Sequence, residues 1–321
     1  MNTSQTNPRP TTALLAASAS AALLLAACGE GGSDPAAAPD EGELLTTRHA
    51  VTVLDDGDGP ELCLGGVMES YPPQCGGPEL LGFEWPEGSY EEEAGVRWGI
   101  YVVRGHYDSA AQTFEVAEIG AEEDAPAHAG DEHDLGTLCE EPDGGWQVVD
   151  PERTTDEDMQ AVYEAAQELP GYAGAWMDQS RNPVGPEDVN EAAGAVESGE
   201  LSDEELVELE GAMNDPEYVT VNVRVTEDPE GAYDELREIW GGALCVAEAE
   251  RTEAELREIQ DELHDHIDGL LASYTETRSD QVVVDVVYDD GTVQQQLDGE
   301  YGEGVVRVVP ALIPAEELSG E

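Results

Sequence analysis

The stretch 218–225 reads Tyr-Val-Thr-Val-Asn-Val-Arg-Val, and it decides the fold of the chain. Its four valines alternate with Tyr218, Thr220, Asn222 and Arg224. Alternating side chains point to opposite faces of a strand, so this stretch is predicted to be a half-buried β-strand. A strand with one apolar face needs a second layer to cover it, and the residues that follow carry helix signals for that layer.

The surrounding segment, 217–314, has the clearest succession of strand and helix signals in the chain. Residues 229–240 are predicted to be a helix that ends at Gly241-Gly242, and Thr252 with Glu255 forms a capping box that opens a second helix. This second helix has one apolar face, formed by Leu256, Ile259, Leu263, Ile267 and Leu270. Further strands are predicted at 243–247, 282–287 and 305–309, and a short helix after the turn at 289–291. This succession predicts an α/β layer domain with helices packed over a partly parallel sheet.

Residues 48–120 have strand signals only. Alternating apolar residues occur at 51–53 and 62–64, with the turn Asp55-Asp56-Gly57-Asp58-Gly59 between them, and again in 96–107 and 112–119. We therefore predict a small antiparallel β domain, barrel-like in form, over 48–120. With the C-terminal α/β layer domain at 217–314, the predicted fold class is α+β.

Residues 121–216 are predicted to be an acidic linker with one helix. That helix begins at Thr154-Thr155 and ends at Pro170-Gly171, and its apolar positions have helical spacing. These positions are Met159, Val162, Ala166 and Leu169. Residues 178–213 are acidic and weakly patterned, and we expect little order there beyond a short helix at 202–209.

The N-terminus combines Arg9, an apolar run at 13–27 and the sequence Leu25-Ala26-Ala27-Cys28. These features resemble a bacterial lipoprotein signal peptide that ends in a lipobox. The resemblance implies that residues 1–27 are removed and that Cys28 is lipidated. The apolar run is too short to be a membrane-spanning helix, which needs about 20 residues.

A lipidated Cys28 places the mature chain at the cell membrane, on its extracellular face. Each buried acyl CH₂ contributes about 0.8 kcal/mol, so two or more acyl chains, such as palmitate, would hold the protein there. Residues 28–47 lack apolar periodicity and are predicted to be a flexible tether.

Four cysteines remain after Cys28: Cys63, Cys75, Cys139 and Cys245. An even number in an exported chain indicates disulfide bonds, with three possible connectivities. A local bridge between Cys63 and Cys75 around the turn Tyr71-Pro72-Pro73 is the expected one, and Cys139 then pairs with Cys245 by elimination. Buried free thiols are the alternative reading, and the absence of a Cys-x₂-Cys spacing argues against zinc.

The charge is extreme: 74 acidic residues face 12 basic ones, all of them arginine. No basic face for phosphate can be assembled, so nucleic-acid binding is excluded. Three explanations of the acidity stay open: the base composition of the genome, solubility in concentrated salt, and binding of cations. Because the acids are spread along the chain, cation binding is the least favoured of these.

No catalytic residue, metal site or cofactor is predicted. The turn 55–59 crowds carboxylates as calcium loops do, but it lacks the bidentate glutamate at the end of such loops, so a hairpin turn is favoured. His264 and His266 would point apart on a helix, and so cannot share one ion. Histidine and carboxylate side chains of one cluster in a flexible loop could bind zinc, but a linker is the favoured interpretation of this stretch. The cluster consists of His128, Asp131, Glu132, His133 and Asp134. Neither a Gly-x-Ser-x-Gly elbow nor a phosphate-binding or dinucleotide-binding motif occurs.

Three further stretches are similar to sequences of uncharacterised actinobacterial lipoproteins. They are 62–78, which reads LCLGGVMESYPPQCGGP, then 241–246 (GGALCV) and 301–308 (YGEGVVRV). This resemblance implies a location and a shape, and it assigns no catalytic residue. The Pro and Gly content of 62–78 indicates a rigid loop closed by a disulfide, either a structural element or a partner-binding loop.

The sequence therefore predicts a membrane-anchored lipoprotein that acts as a non-catalytic binding or interaction module of the cell envelope. The expected partners are the membrane, through Cys28, and an envelope protein or a small ligand. A hydrolase whose site is assembled from scattered residues is the alternative.

The crowded acids predict that salt stabilises the mature chain. The helix that opens at Thr252 places many acids against Arg257 alone, and like charges four positions apart destabilise a helix at low salt. We expect the melting temperature to rise between low salt and about 1 M sodium chloride, where the Debye length is about 3 Å. A flat or falling melting temperature over this range would contradict the salt-adaptation hypothesis.

Overall fold

The computed structural model describes residues 43–125, 135–199, 201–264 and 266–316. The fold is mixed α+β, as predicted. The strands are β1 (Leu45–Thr47), β2 (Val51–Asp55), β3 (Pro60–Cys63), β4 (Glu79–Leu81), β5 (Glu91–Glu93), β6 (Val96–Asp108), β7 (Thr113–Gly120), β8 (Tyr172–Asp178), β9 (Thr220–Val225), β10 (Ala243–Glu248), β11 (Leu270–Glu276), β12 (Gln281–Val286), β13 (Val306–Pro310) and β14 (Leu312–Pro314). The helices are α1 (Asp156–Gln167), α2 (Pro186–Ser198), α3 (Asp203–Met213), α4 (Pro229–Arg237), α5 (Glu253–His264) and α6 (Thr292–Tyr301), with short 3-10 turns at Glu122–Asp124, Pro151–Arg153 and Pro216–Tyr218. Within these ranges, no helix is both long and apolar enough to cross a bilayer.

The first sheet has the strand order β14-β1-β6-β2-β3-β4-β7, with β5 paired to β6. It curls, because β7 also pairs with β6, but it is a large sheet and not a closed barrel. β3 and β4 share a single registered pair, and β1 and β14 continue beyond β6. The curved sheet encloses an apolar core around Val53, Leu62, Val103 and Phe114, none of which is exposed.

This sheet contains residues from both ends of the described chain. β1 lies at the end of the predicted tether 28–47, and that prediction is wrong for 45–47, whose residues are all buried. β14 pairs antiparallel with β1, and Leu312 packs into the core of the first sheet. The strands at 45–47 and 312–314 were not predicted, because three residues are too few to show an alternation of apolar and polar side chains.

The C-terminal half contains two three-stranded sheets where a single sheet was expected. One has the order β10-β9-β8 and the other β11-β12-β13. Each combines one parallel pair with one antiparallel pair, so the prediction of a partly parallel arrangement is confirmed. α1 and α4 pack on the first of these sheets, and α5 and α6 on the second.

These two sheets and their helices are two copies of one topology. The first module runs from α1 to β10 and the second from α5 to β13, and each has the order helix, strand, antiparallel strand, helix, parallel strand. In both modules the first strand begins directly after a glycine with positive φ, which is Gly171 in the first module and Gly269 in the second. In both, the register of this strand against its antiparallel neighbour shifts after the first residue of the strand. Matching residues in the two copies are separated by one constant interval: Val221 and Val282, Val223 and Val284, Asp228 and Asp289, Leu236 and Leu297, and Gly241 and Gly302.

The region 121–216 is far more structured than the predicted linker with one helix. Thr155 is the N-cap of α1, as expected, with Asp158 as its capping-box partner. The prediction is wrong for 172–198, because β8 joins the sheet of the first module and α2 is a helix. The short helix expected at 202–209 is present as α3, which pairs with α2 between β8 and β9. β8 contains Ala, Gly, Trp and Met rather than alternating β-branched residues, so pairing with β9 determines it.

The C-terminal end of α5 was also predicted incorrectly. The apolar series that starts at Leu256 suggested a helix continuing to Leu270, but α5 ends at His264 and Leu270 opens β11. Gly269, at φ +72°, lies between them in a conformation that favours glycine.

A buried ion pair connects the two modules. Arg224, in the central strand of the first module, donates two hydrogen bonds of 2.7 Å to the two carboxylate oxygens of Asp280, in the turn between β11 and β12. The same guanidinium donates to the carbonyls of Thr277, Arg278 and Glu248. Only 7% of Arg224 and 4% of Asp280 are exposed, so both charges are almost fully desolvated.

We expect Asp280→Asn to lower the free energy of unfolding by about 3–5 kcal/mol, because it leaves a buried guanidinium without a counter-ion. Asparagine keeps the size of the side chain and tolerates the left-handed backbone at this position, where φ is +56°. Urea denaturation measures the change. Glu253→Gln is the matched control, since it removes the half-buried carboxylate that pairs with the exposed Arg257 at 3.0 Å and should have a much smaller effect. Equal losses in the two variants would refute the role given to the buried pair.

Candidate functional site

The disulfide loop, residues 63–75, projects from the end of β3. The Cα atoms of Cys63 and Cys75 lie 5.7 Å apart across a disulfide, which is the local bridge expected from the sequence. Inside the loop the amide of Met68 donates to the carbonyl of Gln74 at 2.8 Å, and the Ser70 hydroxyl donates to the carbonyl of Pro72 at 2.8 Å. The Tyr71-Pro72 peptide bond is cis. The disulfide and the two hydrogen bonds hold the loop in one shape.

The base of the loop packs against its own strand through a glycine. A Cβ on Gly77 would collide with the carbonyl of Leu62, so only glycine allows the chain to return this closely along β3. The amide of Leu62 donates to the carbonyl of Pro78 at 2.9 Å, next to this close approach. The rigidity indicated by the Pro and Gly content of 62–78 is therefore provided by close contact with the first sheet.

The tip of the disulfide loop exposes large apolar side chains. Val67 is 40% exposed, Met68 63% and Tyr71 73%. The ring of Tyr71 stands edge-on to Trp98 of β6, with 5.5 Å between centroids. Exposed apolar side chains on a rigid loop are unusual features of a soluble surface, and they commonly mark contact sites.

An aromatic and acidic surface continues from the loop across the first sheet. The guanidinium of Arg97 lies over the rings of Tyr90 and Trp85, at 4.9 Å and 5.6 Å from their centroids. It also forms an ion pair of 2.8 Å with Glu92 of β5, a strand made of three exposed glutamates. This surface therefore combines aromatic rings with carboxylates.

Below the disulfide loop lies a cavity of about 370 Å³, which we term the junction cavity. It is enclosed by the turn between β1 and β2, the base of the disulfide loop, and the outer face of the second module, meaning the sheet face turned away from α5 and α6. Its polar lining residues are Arg48, His49, Tyr274, Asp285 and Arg307, and its other lining residues are Leu64, Gly65, Gly66, Leu271, Ala272, Val309, Pro310 and Ala311.

Strand register brings the polar residues of the second module to this cavity. Tyr274, Val283 and Arg307 form one row across β11, β12 and β13, and Ala272, Asp285 and Val309 form the next. The valines of the opposite face, such as Val282 and Val284, pack under the helices. A sheet exposes alternate residues on its two faces, so Tyr274, Asp285 and Arg307 share the outer face.

The other side of the junction cavity is held by backbone contacts from Arg48. Its amide donates to the carbonyl of Ala311 at 3.1 Å, and its Nε donates to the carbonyl of Pro310 at 3.3 Å. The side chain of Arg307 is 40% exposed, and its Nη2 lies 3.8 Å from a carboxylate oxygen of Glu276. Arg48 and Arg307 thus line the same cavity from distant parts of the chain.

The outer face of the first module is covered by the segment that precedes α1. Cys139 is joined to Cys245 of β10, with Cα atoms 5.8 Å apart, the second pair expected from the sequence. Trp176 of β8 donates from its ring nitrogen to the carbonyl of Leu135 at 2.9 Å. Burial alone would raise the pKa of Asp178, but hydrogen bonds from Ser180 and Thr137 outweigh it and lower that pKa.

Two of the metal alternatives raised by the sequence, the turn 55–59 and the pair His264 and His266, lie in the described residues. The turn 55–59 is a hairpin turn in which Asp55 accepts hydrogen bonds from the amides of Gly57 and Gly59. His264 and His266 are both exposed. In the part of the chain that the structure describes, no group of three His, Cys, Asp or Glu side chains is placed to hold a metal ion.

The predicted signal peptide 1–27, the lipidation of Cys28 and residues 28–42 of the predicted tether lie outside the described residues. The cluster His128, Asp131, Glu132, His133 and Asp134 lies outside them as well. The junction cavity, in contrast, was missed by sequence reasoning. Arg48 and Arg307 belong to no motif, and the only sequence signal nearby was Gly65-Gly66 within the stretch 62–78.

No protein family model matches the chain, and no curated protein matches it.

Proposed function

We propose that the chain is a lipid-anchored protein of the cell envelope that acts as a non-catalytic binding module. The single observation that carries the binding role is the disulfide loop, which presents Val67, Met68 and Tyr71 to solvent from a rigid frame. The lipobox at 25–28 supports the anchor.

The proposed partner is a protein surface that is apolar at its centre and basic around it. Binding energy in protein interfaces concentrates on a few large side chains, and aromatic residues, Met and Arg are enriched there. Tyr71, Met68 and Trp98 provide such anchors. The exposed glutamates of β5, Glu91–Glu93, and the formal net charge of −62 favour a basic rim on the partner.

The lipid anchor predicts a simple fractionation result. Wild-type protein should be found in the membrane fraction with an acyl modification on Cys28, and Cys28→Ala should be released and unmodified, because several acyl chains are needed for stable attachment. Mass spectrometry of both fractions measures this. Ser33→Ala, also in the predicted tether, is the control and should remain bound. An unmodified wild-type Cys28 would refute the anchor.

The binding surface predicts that loop variants lose a peptide ligand selected on the wild-type protein. Peptides displayed on phage and selected against the mature chain should share apolar residues flanked by Lys or Arg. Met68→Ser with Tyr71→Ser should weaken these peptides about tenfold or more, because both anchors are lost.

The control for this experiment is Val149→Ser with Val207→Ser, which removes two side chains that are each 64% exposed elsewhere on the surface. It should leave peptide affinity unchanged. Circular dichroism and urea midpoints verify that both double variants remain folded. Peptides that bind both double variants equally, or that lack basic residues, would contradict the proposed surface.

A further inference from the structure

The charged residues that line the junction cavity have a net charge opposite in sign to that of the whole chain. Acidic residues outnumber basic ones 74 to 12 overall, yet the cavity is lined by Arg48 and Arg307 with Asp285 as its one carboxylate. His49 also lines it. Arg48, Arg307 and Asp285 together carry one net positive charge. A cavity with this balance favours a ligand that carries a single negative charge.

The two arginines are placed to bind an anion. Arg48 is fixed at its Nε by the carbonyl of Pro310, so that its position in the wall is defined. Arg307 lies on the outer face of the second module in the row of Tyr274, and its 3.8 Å contact with Glu276 is long for a charged hydrogen bond. Planar guanidinium groups match the geometry of a carboxylate better than an ammonium group does.

The rest of the lining is apolar or without a side chain. Leu64, Leu271 and Val309 provide apolar contact, and Tyr274 adds an aromatic ring. A Cβ on Gly65 would meet only Cδ2 of Leu271, at 3.8 Å, so the glycine leaves space beside Leu271. The volume of about 370 Å³ lies within the range of small-molecule sites, which are mostly apolar with a few polar groups that fix orientation.

We propose that the junction cavity binds a small monocarboxylate with an apolar body. The carboxylate lies between the guanidinium groups of Arg48 and Arg307, and the apolar part lies against Leu64, Leu271 and Val309. A dianion such as phosphate is disfavoured, because Asp285 and the overall negative field oppose a second negative charge. This site is distinct from the proposed protein-binding surface at the tip of the disulfide loop, and neither proposal depends on the other.

The test uses the mature chain with Cys28→Ala, and hexanoate and 3-phenylpropanoate as probes. Their neutral amides are matched controls that keep the apolar body and remove the charge. Isothermal titration calorimetry should show saturable binding of at least one carboxylate, with its amide at least about tenfold weaker, since hydrogen bonds between charged groups are lost. Inorganic phosphate should bind more weakly than that carboxylate.

Variants locate the site. Arg307→Gln should weaken binding of the carboxylate about tenfold or more, and Gly65→Leu should do so by placing a side chain against Leu271 in the cavity. Arg48→Gln should have the same effect, and Arg307→Gln keeps the test decisive if loss of the Pro310 contact unfolds that variant. Arg104→Gln is the control, because it removes an exposed arginine that pairs with Glu118 at 3.2 Å.

Three outcomes would overturn the proposal: no saturable binding of either carboxylate, equal binding of a carboxylate and its amide, or equal affinity in wild type, Arg307→Gln and Gly65→Leu.

Discussion

The pairing of Arg224 with Asp280 is the interaction on which the arrangement of the molecule depends. A guanidinium has five donors and no acceptor, so a buried one needs several oxygens around it. Here they come from Asp280, from the carbonyls of Thr277 and Arg278 in the second module, and from Glu248 at the end of the first. The amide of Glu250, in the link between the modules, donates to Asp280 at 2.9 Å. Desolvated charges tolerate little displacement, because any gap leaves a charge uncompensated. The pair therefore fixes how one module lies against the other, and with it where the outer face of the second module is presented.

Each module must cover the outer face of its sheet, and the two do so differently. The first module uses the segment 135–150, which the Cys139–Cys245 bridge ties to β10. The second uses the first sheet, whose core includes Val287 and Leu312, with the base of the disulfide loop beside it. Two copies of one topology thus acquire different surroundings. A peptide segment fits closely over the first module, whereas a curled sheet with its own loops covers the second and leaves the junction cavity.

The distribution of charge has a functional consequence. The acids lie largely on the surface, and several of the twelve arginines bind backbone carbonyls inside the structure. Arg237 donates to the carbonyls of Trp240 and Gly242, and Arg153 donates to that of Arg237, so the end of α4 is held by guanidinium groups. The outer surface is left strongly anionic. The proposed partner with a basic rim would complement this surface, and the proposed carboxylate site lies where two arginines, Arg48 and Arg307, line one cavity.

The sequence by itself determined the elements whose signals are local. The alternating valines of β9, the capping boxes at Thr155 and Thr252, and the glycine pair after α4 predicted their elements correctly, because a periodicity or a cap is decided within a few residues. The expected cysteine partners were also those that the structure brings together. The exposed tip of the disulfide loop follows from a motif visible in 62–78.

Only the tertiary structure decided the rest. β1, β8 and β14 have no strong intrinsic preference and exist because a neighbour completes their hydrogen bonds. The division of the C-terminal half into two sheets, and the return of β14 to the first sheet, depend on contacts between residues far apart in the chain. The junction cavity has the same origin: Arg48 and Arg307 lie near opposite ends of the described chain, and no local pattern records that strand pairing will bring them together.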